Sequence, residues 1–328
     1  MGGIQLLTAD LTHSPTPLDA AWTSRSYSKE AGRRKSGRGA DEMRSIWKKA
    51  AAAVLAGGLL MSISMQPGQR AEAASSVMVP GYEVKLLLSP SATLGGDGKP
   101  SAALASAFGL GSAQSIGVEY FDTSSLDLNA KGWDVRFRKK ADKSNFEISY
   151  KKRYPIVNGN INAALEQARQ EGFTSADDNY EAEIDWNYSK QTLSISTEKK
   201  KSASGYSGTA LPAESKALGM AVDEIPGKLD NWSATGWGKK TLSASRAHGP
   251  VAVSKYAGVF NGLETDVEIW PIRSSSGTGT ETIVEVSFKT DDAAEAAAER
   301  DKLIAFLQGK GWLTPQDSLK TQLILERC

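Results

Sequence analysis

From residue 81 to residue 289 the chain repeatedly alternates apolar and polar positions with a period of two, as strands do when they bury one face. Segments 81–88 (GYEVKLLL), 119–140, 146–153 (FEISYKKR), 241–247 (TLSASRA), 263–270 (LETDVEIW) and 281–289 (ETIVEVSFK) follow this pattern. Residues 179–198 form a hairpin pattern that turns through Asn187–Lys190, and Lys143-Ser144-Asn145 is a second turn. A helical period predicts helices over 102–108, 160–172 and 212–230, the last interrupted at Pro226. The clearest helix, 291–308, has acidic residues at its start and Gly309 and Gly311 beyond its end. Leu319–Leu325, which carries Lys320, is expected to be a last strand. Lys199–Lys201 is expected to open a solvated Gly/Ser loop.

The polar faces of these strands are charged rather than merely hydrophilic. Arg136, Arg138 and Lys140 are spaced two apart and share one face, with Val135, Phe137 and Lys139 on the other. Lys151 and Arg153 share a face with Glu147 and Ser149, and Glu83 shares one with Lys85. Carboxylates gather in the same way at Glu181/Glu183/Asp185, at Glu264/Asp266/Glu268 and at Glu281/Glu285. Three like charges on one face repel unless water or an anion lies among them. The fold class is α+β, with about eight antiparallel strands and a few flanking helices, enough to close a barrel around a small ligand. The pattern leaves two arrangements open. Outward charges would give a barrel with an ordinary apolar core, and inward charges a lumen holding acids and bases together.

Residues 43–74 have the layout of a secretory signal. Arg44, Lys48 and Lys49 precede an apolar run from Ala50 to about Ser64, and Ala71-Glu72-Ala73 is an A-x-A cleavage site. The run is short for a membrane span of ~20 residues, so cleavage and export are expected rather than a retained anchor. Residues 1–42 are polar and are expected to be a non-native extension or disordered, with translation starting at Met43. The folded domain is placed at 79–328, a size suited to one barrel.

Residues 74–328 hold 29 basic and 32 acidic side chains, a formal charge of −3. A nucleic-acid partner is therefore not expected, and the cations are concentrated on particular strands. Cys328 is the only cysteine, which excludes an intrachain disulfide. The only histidines are His13 and His248, so a metal would have to be a hard cation on carboxylates. Trp133, Trp186, Trp232, Trp237, Trp270 and Trp312 form no single stripe and suit packing rather than a stacking platform.

Tyr120-Phe121-Asp122-Thr123, Leu126, Gly132 and the Arg-x-Arg of 136–138 resemble the second and third strands of the CYTH superfamily, which contains class IV adenylate cyclases, thiamine triphosphatases and other triphosphate tunnel metalloenzymes. Glu83-x-Lys85 is similar to the second half of that superfamily's N-terminal Glu-x-Glu-x-Lys motif. Lys151, Arg246, Asp266 or Glu268, and Glu285 then fall in family order.

The resemblance implies an eight-stranded antiparallel tunnel that binds a triphosphate- or polyphosphate-like anion. Lys85, Arg136, Arg138, Lys140, Lys151, Arg246 and Lys320 would grip phosphates, while Glu83, Glu268 and Glu285 would hold Mg²⁺ or Mn²⁺. Glu83, Lys85 and Arg138 would serve in-line hydrolysis. Two positions depart from the pattern, Gly81 for the first glutamate and Ser287 for the second glutamate of the last strand. Three functions are therefore weighed: an exported divalent-cation-dependent phosphohydrolase, a polyanion-binding protein without turnover, and an envelope interaction protein using the barrel as a scaffold.

Overall fold

A computed structural model describes residues 76–317 and 320–328. The signal-like segment 43–74 and residues 1–42 lie outside the described residues. Nine strands close on one another. Around the ring they are β1 (Gly81–Leu88), β5 (Glu181–Trp186), β6 (Gln191–Ser202), β4 (Asn145–Ile156), β3 (Trp133–Lys140), β2 (Ala113–Asp122), β7 (Arg246–Phe260), β8 (Leu263–Arg273) and β9 (Thr280–Thr290). β9 returns to β1 through seven pairs, from Tyr82↔Thr290 to Leu88↔Val284. A two-residue strand, β10 (Leu313–Thr314), pairs with Leu87 and Leu88 and lies outside the ring.

The expectation of eight antiparallel strands is thus corrected. A ring with an odd number of strands cannot alternate direction throughout, so one neighbouring pair must be parallel. That pair is β1–β5, with Gly81 opposite Glu183 and Glu83 opposite Asp185.

The main cores lie outside the ring, which settles which way the charges face. Val84, Leu86 and Leu88 point outward under α1 (Ala102–Phe108) and α5 (Ala293–Gly309), against Phe108, Leu303 and Leu307. Val135, Phe137, Ile148, Ile184, Leu193 and Ile195 point outward under α2 (Ile161–Gln170), α3 (Glu214–Asp223) and α4 (Trp237–Ser243). The side chains between them in sequence point inward.

One sector of the inner face is also apolar. Ile116 and Val118 of β2, Val251 and Val253 of β7, and Trp270 and Ile272 of β8 pack with Ile324 and Leu325 of α6 (Lys320–Arg327). The C-terminal helix therefore sits against the inside of β2, β7 and β8.

Three local expectations are corrected. Residues 320–327 are helical rather than a strand, because the helix places Ile324 and Leu325 together against the apolar sector. Within 241–247, Thr241–Ser243 close α4 and only Arg246 and Ala247 are strand. Leu242 is fully buried on the helix face that meets the core. Lys199–Lys201 belong to β6 and pair with Phe146–Ile148 rather than opening a loop.

The reading also missed most of β7, which runs through Gly249-Pro250. On β2, Glu119 alone faces this pair, since Val118 pairs with Val251 and Tyr120 with His248. Such a bulge accommodates a residue that has no N–H to give to the ladder.

The loop between β2 and β3 is built around Asp122. Its buried carboxylate accepts from the backbone N–H of Thr123 (2.8 Å), Leu128 (2.9 Å) and Asn129 (2.9 Å). Gly132 then turns with φ 74° where a Cβ would approach the Arg153 carbonyl to 2.9 Å. That position requires glycine.

Candidate functional site

The ring encloses a cavity of about 670 Å³, within the usual range for ligand sites. Ten Lys and Arg side chains and nine Asp and Glu side chains line it, a formal charge of +1. Glu83, Lys85, Arg136, Arg138, Lys140, Lys151, Glu268, Glu285 and Lys320 all line this cavity. Arg246 does not, and the expectation that it grips phosphate there is corrected. It lies at the first residue of β7, where its Nη1 donates to the carbonyls of Ala247 (3.1 Å) and Cys328 (2.8 Å).

The carboxylates are individually compensated. Lys85 Nζ lies 2.6 Å from both Glu83 and Asp185. Arg153 bridges Asp134 at 2.8 Å and Asp185 at 3.0 Å, and Ser194 donates to Asp185 as well. Lys289 pairs with Glu183 and stands 3.7 Å from Glu83. Burial alone would raise the Glu83 carboxyl, but Lys85 and Lys289 outweigh it and hold it well below the usual carboxylate range. Burial works against Asp185 in the same way, and Lys151, Lys85 and Arg153 push it well down. Glu183 goes the other way, since burial and the neighbouring Glu83 charge both raise it.

At the opposite stretch of β3, Arg138 pairs with Glu147 and with Glu198 at 2.9 Å, and Lys140 reaches Glu147 at 3.1 Å. On the far side of the ring, Lys320 Nζ lies 2.9 Å from Glu268 and 2.7 Å from Glu285. Lys255 pairs with Asp266 at 2.6 Å.

Three lumen cations stand apart from the ion pairs, the exposed Lys200 and two more enclosed ones, Arg136 and Lys151. Arg136 has no carboxylate within ion-pair distance among the described residues, and Nη2 donates only to Ser149 Oγ at 3.3 Å. Its Nε is buried without a partner. Lys151 meets its nearest carboxylate, Glu183, only at 4.0 Å, and burial lowers its pKa despite Asp185.

The metal expectation divides in two. Glu83 does not converge with Glu268 and Glu285. It joins Glu183 and Asp185, whose oxygens lie within 4.8 Å of one another. Three carboxylates are a donor set that suits a hard divalent cation. The parallel β1–β5 pairing also sets Glu183 beside Gly81, the position that lacks the expected glutamate. Lys85, 2.6 Å from Glu83 and Asp185, would have to give way to such an ion, whereas Glu268 and Glu285 offer only two carboxylates, with the Lys320 ammonium between them, and do not fit the group.

Sequence reasoning undervalued Asp185 and Arg153 and missed Lys200 and Lys255. Lys255 continues the alternation of Val251 and Val253, but it lies beyond Gly249-Pro250, a dipeptide typical of turns, and beyond the predicted strand 241–247. Lys200 was hidden in a lysine run that looked solvated.

No protein-family profile matches the chain, and no curated protein matches it. Solved structures similar to it include a Hippeastrum protein described as an adenylyl cyclase with a dominant triphosphatase activity (16% identity, 75% of this chain and 96% of that chain, TM-score 0.41). A Bacillus halodurans protein described as an adenylate cyclase is 13% identical over 76% of this chain and 98% of that chain, with a TM-score of 0.43. A Pyrococcus horikoshii protein is 12% identical over 75% of this chain and 100% of that chain, with a TM-score of 0.39.

Proposed function

We propose that the barrel binds a triphosphate- or polyphosphate-type anion and hydrolyses it with a divalent cation, in a protein exported by residues 43–74. The observation that carries this reading is Arg136. A half-buried guanidinium whose buried Nε is unpartnered faces a polar cavity, where seven of the other nine cations are paired with carboxylates closer than 4.0 Å. An anionic oxygen is the partner such a group lacks. Lys151, loosely held at 4.0 Å, is its companion.

The nearly balanced lining favours an anion that arrives with its own counter-cation. Glu83, Glu183 and Asp185 would hold Mg²⁺ or Mn²⁺, which when bound supplies Lewis-acid polarisation of a phosphoryl oxygen. Arg136 and Lys151 orient the phosphates, and Arg138 and Lys140 extend the basic row along β3.

A second reading, binding without turnover, is favoured by a specific observation. Each carboxylate of the acidic cluster already faces a lysine or arginine at 4.0 Å or less.

The test is phosphate release from tripolyphosphate with Mg²⁺ or Mn²⁺, beside thermal shift with the same anion. Release supports hydrolysis, a shift without release supports binding alone, and neither result would sink both. Arg136→Ala is expected to weaken anion binding by about 10- to 150-fold, the loss of one charge-assisted contact of about 1.5–3 kcal/mol. N-terminal sequencing of the exported chain checks the leader, and a mature start before Ala71 overturns it.

A further inference from the structure

We infer that the Glu268–Glu285 carboxylate pair takes its counter-ion from Lys320 of the C-terminal helix, so that this side of the lumen binds its anion without a divalent cation. The two glutamates are direct cross-strand neighbours on β8 and β9. Like charges placed opposite one another repel, so the pair requires a cation.

The ammonium that answers this need is held on all sides. It contacts Glu268 at 2.9 Å and Glu285 at 2.7 Å and lies 4.5 Å from the Trp270 ring centroid. The same indole donates its Nε1–H to Glu268 Oε2 at 2.9 Å, which fixes that carboxylate. Ile324 and Leu325 seat the helix on the apolar sector, so the position of the ammonium is set by packing and not by the ion pair alone.

A divalent ion at the same oxygens would have to expel this ammonium or share the space with it. Expulsion would leave a buried charge unpaired, and sharing would set two cations in contact. An ammonium carries three N–H groups, and two are used on the glutamates. The third remains for an oxygen in the cavity that Lys320 lines.

A further detail concerns Glu285. Its side chain is 2% exposed and its Oε2 has no partner. If Lys320 were removed, that oxygen and Glu268 would form a vacant carboxylate pair facing the lumen. The inference concerns the lumen of the proposed function but is read without any anion present, so its failure and the failure of that function are separable.

The experiment is Mn²⁺ titration of the full chain by calorimetry, comparing wild type with Glu285→Gln and Lys320→Met. Wild type and Glu285→Gln are expected to bind the same number of Mn²⁺ ions, with affinities within about twofold. Lys320→Met is expected to gain one equivalent, which the Lys320→Arg control does not. Loss of an Mn²⁺ equivalent in Glu285→Gln, or an unchanged count in Lys320→Met, would overturn the inference. Should one variant fail to melt cooperatively, the other decides.

Discussion

Two arcs of the same lumen share a two-residue period and obey different rules. Along β9, β1, β5, β6, β4 and β3 the inward positions are mostly charged, as in Glu83, Lys85, Glu183, Lys151, Arg136 and Arg138. Across β2 and β7 they include Ile116, Val118, Val251 and Val253. The charged arc satisfies itself through ion pairs between neighbouring strands and leaves space in front of them. The apolar arc has no such internal partner, so it recruits one, and α6 covers it. Alternation therefore shows that a strand has two faces. What fills the space before each face is decided by the other strands of the ring.

The largest effect expected from the comparison comes from the charged arc. Asp185→Ala removes the buried carboxylate shared by Lys85 and Arg153 and leaves the two half-buried cations with one partner each, Glu83 and Asp134. Breaking such a pair costs on the order of 3–5 kcal/mol, which chemical denaturation reads directly. If the loss falls below about 1 kcal/mol, the arc is solvated rather than self-compensated.

Ile324→Ala tests the apolar arc. A cavity under α6 should cost about 2–5 kcal/mol while the anion affinity of the charged arc stays within about twofold. Equal loss of both would show that the two arcs are one cooperative site.

Glu119 lies on the outer side of the apolar arc, buried, with Oε1 unpartnered. Burial, with Glu214 nearby, pushes it up to about 7. A carboxyl raised in the folded state weakens folding as pH climbs from its ordinary 4.5 to about 7. Glu119→Gln should flatten that slope and be more stable than wild type at pH 8 by up to about 3 kcal/mol.

The acid limb belongs to the junction of the two arcs, where β8 and α6 meet the charged wall. Burial opposes ionisation of Glu268, but Lys320 lowers it to about 2. The stability it contributes is complete above the ordinary value of 4.5 and is lost as pH falls toward 2. The thermal midpoint should drop over that window, and the drop should be smaller in Glu268→Gln.

Much of the charged arc was legible because local spacing carries it. Arg136, Arg138 and Lys140 on one face, and Val135 and Phe137 on the other, follow from the strand period alone. The apolar arc was not legible. Val251 and Val253 were hidden by Gly249-Pro250, and the bulge that accommodates this pair is a property of the opposite strand, at Glu119. Leu319, Thr321, Leu323 and Leu325 alternate like a strand, while the surface that makes 320–327 a helix belongs to β2, β7 and β8. Lys320 was named for its charge, yet its partners Glu268 and Glu285 are settled by tertiary packing. The odd number of strands and the parallel β1–β5 pair likewise depend on ring closure, which no short window contains.

That closure has a consequence in time. β1 is the first strand to leave the ribosome, yet its partners are residues 181–186 and 284–290. Joining Tyr82 to Thr290 closes a loop of some two hundred residues, so most of the chain must exist before the first strand finds its place. The hairpins β3–β4 and β7–β8 can form early, whereas the seam at β1 comes last. A protein built in this order stays open for much of its synthesis.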